Sequence, residues 1–304
     1  MTVAHCSAAI ALVTAHDARE LDEDLAPLFS ALAAAGAAVR VVEWDDTEVD
    51  WSHFDLALLR STWDYSMRLP EFLEWAERTS RATHLVNPLP MVRWNTDKHY
   101  LAELMHADVR TVPTTFVEPG ESAKKVMNEF LVQHAATEFV VKPAVSSGAR
   151  DAQRYGRREF DDASLHIRRL QDANRSVVLQ PYLERIDADG ETALIYFDGR
   201  FSHAIRKGAL LRRGEGPTRA LFAPEQITAR VPRLDELRTG ERALAAIPFA
   251  TPLYARVDLI RDADGAPRVL ELELTEPSLF FAHAAGSVER LATLILGYPK
   301  SGGS

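Results

Sequence analysis

Residues 8–15 form a short apolar run, and Leu21, Leu25, Leu28, Phe29 and Leu32 then recur at helical spacing up to Gly36. The run predicts a buried strand, the spacing predicts a helix packed on it, and the glycine ends that helix. Residues 38–44 and 55–59 predict two more strands, and 70–78 a helix with Pro70 in its first turn. Strands alternating with helices imply a parallel sheet covered on both faces, with ligands gathering beyond the strand carboxyl ends. Residues 60–65 fall at such an end, after the third strand. Pro88 and Pro90 predict a turn, followed by a helix over 96–105 capped by Asn95 or Thr96.

Beyond residue 94 the pattern becomes strand-rich, at 114–117, 139–142, 177–180, 191–197, 200–207, 253–260 and 268–274. Asp198-Gly199 and Asp264-Gly265 predict hairpin turns between consecutive strands, hence an α+β arrangement with antiparallel pairing. The terminal Ser-Gly-Gly-Ser, 301–304, reads as a flexible tail.

Composition excludes several classes. Of 304 residues 46% are apolar and 26% charged, which supports a sizeable globular core and rules out disorder, collagen and coiled coil. A net charge of −9 argues against nucleic-acid and anionic-membrane partners. Cys6 is the only cysteine and is expected as a packed small residue; it cannot make an internal disulfide or a Cys-rich zinc site. No apolar run is long enough to span a bilayer and no basic residue precedes Arg19, so an unexported, cytoplasmic protein is expected.

Arginine is the habitual cation: only six of the 35 basic residues are lysines, so a lysine in an apolar setting is informative. Lys142 is one, ending an apolar run before Ser146, Ser147, Gly148 and Ala149. Small residues let backbone N–H groups approach phosphate oxygens, although such a loop alone is more often a connector. Glu271 and Glu273 alternate with Leu270, Leu272 and Leu274, so the two carboxylates share one strand face. Like charges there repel, and a hard cation such as Mg2+ would compensate them. Across the 264–265 turn, Asp258 and Arg256 should converge on the same face; the alternative is a solvated salt-bridged surface. The Gln180-Pro181-Tyr182-Leu183-Glu184 segment ends another apolar strand, and a flat purine could bond its backbone, with Glu184 or Glu191 on ribose hydroxyls. Arg206-Lys207 ends a further strand as a phosphate clamp or a solvated terminus.

In order, Lys98, Lys142 with its small-residue loop, the 180–184 link, Lys207, Arg256, Asp258, Glu271 and Glu273 together resemble the ATP-grasp superfamily. The resemblance implies an α/β Rossmann-like N-terminal domain over 1–94, then an α+β ATP-grasp fold with a central subdomain over 95–181 and a C-terminal one over 182–300. It implies that Lys98 and Lys142 contact nucleotide phosphates, Lys142 also lying near the adenine, while Ser146, Ser147 and Gly148 close over the phosphates. Gln180, Pro181, Tyr182 and Leu183 would receive adenine. Asp258, Glu271 and Glu273 would bind two Mg2+ ions, and Arg256 and Lys207 would neutralise the moving phosphoryl group. The family usually has Glu-x-Asn on its last strand, where this chain has Glu-x-Glu, so Glu273 and Thr275 compete for that role.

Within the superfamily, segments 59–65, 94–98 and 273–280 are similar to a branch of cyclo-ligases that close D-cycloserine from O-ureido-D-serine. That likeness implies ATP-driven formation of an acyl phosphate, attacked by a nitrogen of the same small amino-acid-like molecule. Arg60, Thr62, Asp64 and Ser278 are the expected anchors for its carboxylate and ammonium. An intermolecular dipeptide-type ligase and a small-molecule kinase remain open, as does a homodimer.

Overall fold

The structure, a computed structural model, describes residues 7–217 and 226–298; Cys6 and the 301–304 tail lie outside the described residues. Three sheets follow one another along the chain. The first contains β1 (Ala9–Thr14), β2 (Ala38–Glu43), β3 (Leu56–Ser61) and β4 (His84–Val86), all parallel, in the order β2-β1-β3-β4. Period-two alternation sorts β1 between two cores. Ile10 and Leu12 pack with Leu25, Leu28 and Leu32 of the helix Leu25–Ala34. Ala11 and Val13 pack on the other face with Phe72 and Trp75 of the helix Leu69–Ala82.

The second sheet is antiparallel and contains β5 (Thr115–Val117), β6 (Glu138–Pro143), β7 (Gln153–Gly156) and β8 (Val177–Pro181) in the order β5-β8-β6-β7. Phe139, Val141, Val177 and Leu179 turn inward onto the helices Ala123–Gln133 and Phe160–Asp172. Their neighbours Val140, Lys142 and Gln180 therefore face the other way. The third sheet, also antiparallel, contains β9 (Glu191–Phe197), β10 (Arg200–Lys207), β11 (Ile227–Arg230), β12 (Tyr254–Arg261) and β13 (Pro267–Glu273), ordered β11-β10-β9-β12-β13. The first and third sheets share a core: Ile195, Phe197 and Tyr254 join Ile10, Leu12 and Leu28.

Several expectations change. β3 runs on through Ser61, so Arg60 belongs to the strand. The helix expected over 96–105 is only Tyr100–His106, a separate helix Leu89–Asn95 precedes it where a turn was expected, and Lys98 sits between the two. Pro90, taken as a turn signal, instead occupies the first turn of the earlier helix, where a missing N–H costs nothing. Asn95 thus ends the earlier helix and Thr96 is its C-cap, while His99 stands at the start of the later one. Leu21 and Phe29 lie outside the buried stripe. β4, β7 and β11 were not expected; at three or four residues they are too short to show a period. No described helix is long and apolar enough to cross a membrane.

Candidate active site

A pocket lies between the second and third sheets, and Trp63 and Tyr65, from the segment after β3, join its lining. Its far end is mostly apolar, lined by Val140, Leu183, Ile186, Leu211, Ile260 and Leu270 around the 180–183 backbone. Leu270 is a correction, because strand alternation placed it in the core with Leu272. The β12–β13 register shifts between Asp258, opposite Glu271, and Leu259, opposite Val269, so Leu270 is an extra residue turned into the pocket. Leu272 and Leu274 do fill the core.

The middle of the pocket carries most of the charge. Lys142 Nζ donates to Glu271 Oε1 at 2.6 Å, and Lys98 Nζ lies 3.9 Å from the same oxygen. Lys98 also donates to the Ser146 hydroxyl at 3.0 Å and its carbonyl at 3.1 Å, tying the turn between helices to the small-residue loop. That loop reverses direction through left-handed backbone at Gly148 and Ala149. Arg256 grips Asp258 with two donors, at 2.8 and 2.9 Å, and also donates to Glu273 and to the Ser278 carbonyl. Lys207 donates at 2.9 Å to Asp258 Oδ2, the oxygen that Arg256 Nη2 also reaches, and pairs with Glu191.

These contacts separate the acids electrostatically. Burial pushes the Glu271 carboxyl upward, but Lys142 and Lys98 overcome it and hold the group at about 2. Burial also lowers Lys142, so both partners of the 2.6 Å pair shift down; the short bond supports an ionised pair. Asp258 stays well below the carboxylate range because Arg256 and Lys207 outweigh its burial. Glu273 rises to about 7 through burial, Arg256 opposing and Asp258 and Glu271 adding repulsion. Glu276, pushed by burial and by the charge of Glu273 and hydrogen-bonded by Tyr65, rises to about 8.

The expected site residues Lys98, Lys142, Ser146, Ser147, Gly148, Gln180, Pro181, Tyr182, Leu183, Glu191, Lys207, Arg256, Asp258, Glu271, Glu273 and Ser278 all line this pocket. Glu184 is exposed and outside the lining, which leaves Glu191 as the acid of that pair facing the pocket. Thr275 is buried and donates to Asn95 Oδ1, so Glu273 is the strand position that reaches the cavity.

Three of the expected substrate anchors are overturned. Arg60 is 1% exposed and is held between Asp22 and Asp24, each 3.8 Å away, with a further bond to the Pro277 carbonyl. Thr62 is fully buried, and Asp64 accepts from the Trp44 indole and Arg68. None of the three lines the pocket, because β3 delivers alternate residues inward and the next turn presents Trp63 and Tyr65 instead. Trp63, Tyr65, Asn95, Tyr100, Glu276 and Phe280 are lining residues not named as site candidates. The available signal was the turn after β3 and the one after Glu273, where Trp63, Tyr65 and Glu276 stood beside the residues chosen.

Among the described residues no three His, Cys, Asp or Glu side chains stand together as a metal cage. Glu271 and Glu273 share the pocket face of β13; burial does most to push Glu273 up and repulsion from Asp258 and Glu271 adds to it, and a cation would oppose both. Both Asp258 oxygens are already engaged by Arg256 and Lys207, which suits it less to direct ligation than expected. Two hard carboxylates without a full cage fit Mg2+, which usually shares its shell with substrate phosphates.

Residues 10–87 match the family model of the D-cycloserine synthetase DcsG N-terminal domain. The chain is 41% identical over 294 residues to the cycloserine biosynthesis protein DcsG of Streptomyces lavendulae, covering 93% of this chain and 96% of that one. The crystal structure of D-cycloserine synthetase DcsG superposes with a TM-score of 0.90 at 40% identity, over 95% of this chain and 99% of that one. An ATP complex of D-alanine–D-alanine ligase from Bacillus anthracis shares the fold at a TM-score of 0.67 and 14% identity, over 96% and 97% of the two chains.

Proposed function

The chain belongs to the D-cycloserine synthetase family, with an ATP-grasp fold and an ATP-dependent ligase activity, and from that premise we propose that this pocket cyclises O-ureido-D-serine to D-cycloserine. The observation that carries the reading is a single continuous pocket. It offers an apolar slot at one end, lysines and paired carboxylates in the middle, and a small aromatic chamber of Trp63, Tyr65 and Phe280 at the other. The three units are taken as 1–94, 95–181 and 182–300.

In this reading the adenine lies in the slot against Leu183, Ile260 and Leu270, bonding the 180–183 backbone, with Glu191 toward the ribose. Lys98 and Lys142 hold phosphate oxygens, and Ser146, Ser147 and Gly148 fold over them. Glu271 and Glu273 would hold two Mg2+ ions, which when bound would supply charge to shield the γ-phosphoryl group. Arg256, fixed by Asp258, faces the transferring group, and Lys207 shares the Asp258 Oδ2 that Arg256 holds. A substrate carboxylate oxygen takes the γ-phosphoryl group and ADP leaves. The ureido nitrogen bonded to the side-chain oxygen then attacks the acyl carbon, loses its proton and expels phosphate; hydrolysis of the carbamoyl group that this nitrogen carries releases CO2 and ammonia and leaves D-cycloserine. The pocket holds the molecule folded and keeps water from the acyl phosphate, which supplies the proximity that ring closure needs.

The chemistry is tested by labelling the substrate carboxylate with 18O. An acyl phosphate delivers one labelled oxygen into the released inorganic phosphate. Unlabelled phosphate alongside ring product would contradict the mechanism.

A further inference from the structure

Among the described residues, every pocket acid discussed above has a cation beside it except one. Glu191 pairs with Lys207, Asp258 with Arg256 and Lys207, Glu271 with Lys142, and Glu273 with Arg256. Glu276 is 8% exposed and lines the pocket, and its carboxyl meets the Tyr65 hydroxyl. The cations whose charge reaches it, Lys98 and Arg256, are committed elsewhere. Lys98 bonds Ser146, and Arg256 bonds Asp258, Glu273 and the Ser278 carbonyl.

A buried carboxylate lacking a positive partner is costly. Its position is nevertheless firmly held, with the Trp63 indole donating to the Glu276 carbonyl at 3.3 Å. Trp63 and Tyr65 beside it offer aromatic surface of the kind that attracts ammonium groups. The chamber thus presents one acid, one hydroxyl and three aromatic rings, and among the described residues no cation pairs with the acid.

We propose that the Glu276 carboxylate, aimed by Tyr65, receives the ammonium group of the amino-acid substrate and so selects for α-amino acids. This rests on the ligase reading and deepens it, since anchoring the ammonium here decides which end of the molecule is presented to the phosphoryl group. Arg60 and Asp64, the anchors expected from sequence position, act behind the pocket wall.

The test compares wild type with Glu276→Gln and Glu276→Asp on O-ureido-D-serine and on the same compound lacking its amino group. Thermal unfolding confirms that each variant is folded. With O-ureido-D-serine, Glu276→Gln should raise KM on the order of 10- to 100-fold while leaving KM for ATP within about twofold. With the desamino compound the two proteins should have similar KM, and Glu276→Asp should recover part of the preference for the amino substrate. An equal penalty on both compounds would overturn the assignment and make Glu276 a structural residue. A wild-type protein inactive on O-ureido-D-serine would overturn the ligase reading for that substrate, and this proposal with it.

Discussion

Lys142 Nζ and Glu271 Oε1 meet at 2.6 Å across the pocket, joining strands 129 positions apart in sequence. The bond ties the second sheet to the third at the point where the proposed phosphates and metal lie. Each group is thereby kept ionised in a place that would otherwise favour its neutral form.

Glu271→Gln should fold normally, because Leu272 and Leu274 keep the core face of β13 intact. Turnover should fall on the order of a hundredfold when Mg2+ is limiting, since the amide loses a charged oxygen aimed at the phosphoryl region. Steady-state rates across a Mg2+ titration check this, and near wild-type rates would show the pair to be only a structural tie.

Lys142→Arg preserves charge in a chain that otherwise prefers arginine. The lysine is buried and its ammonium fits a single oxygen at 2.6 Å, so a planar guanidinium cannot take its place. ATP affinity measured by calorimetry should weaken about tenfold or more, a change of roughly 1.4 kcal/mol.

Asp24 caps three consecutive backbone N–H groups, those of Leu279, Phe280 and Phe281, at 2.5, 2.9 and 2.9 Å. It so fixes a loop whose Phe280 has left-handed backbone and whose Ser278 and Phe280 line the pocket. Asp24→Asn should cost about 1–3 kcal/mol of stability and raise the substrate KM. Asp64→Asn, outside the lining, should leave KM near wild type; the reverse ranking would restore Asp64 as a substrate anchor.

Stability should also report on Glu276. Its folded carboxyl sits at about 8 against an ordinary 4.5, so between those values the native state binds more protons than the unfolded chain. Its contribution therefore declines as pH rises from 4.5 to 8. Glu276→Gln, which cannot ionise, should gain in Tm relative to wild type across that window, as thermal unfolding at several pH values would show. A constant difference between the two proteins would contradict the assigned shift.

Strand parity made much of the site legible. Lys142, Gln180, Asp258 and Glu271 follow the period of their strands, and the apolar residues between them fix which face they take. The rest depended on contacts that no local pattern encodes. Arg60 looked like a strand-end anchor, yet its partner carbonyl at Pro277 is 217 positions away. Leu270 moved into the pocket through a register shift set by the partner strand. Lys98 lies between two short helices, and Pro88 and Pro90 read as a turn where the first of them begins.

The most direct measurement of the central claim is product stoichiometry by mass spectrometry with ATP, Mg2+ and O-ureido-D-serine as the only amino acid. One ADP, one phosphate, one CO2, one ammonia and one D-cycloserine are expected per turnover with no added acceptor. Product that appears only when a second amine is supplied, or a stable phosphorylated substrate in place of the ring, would contradict it.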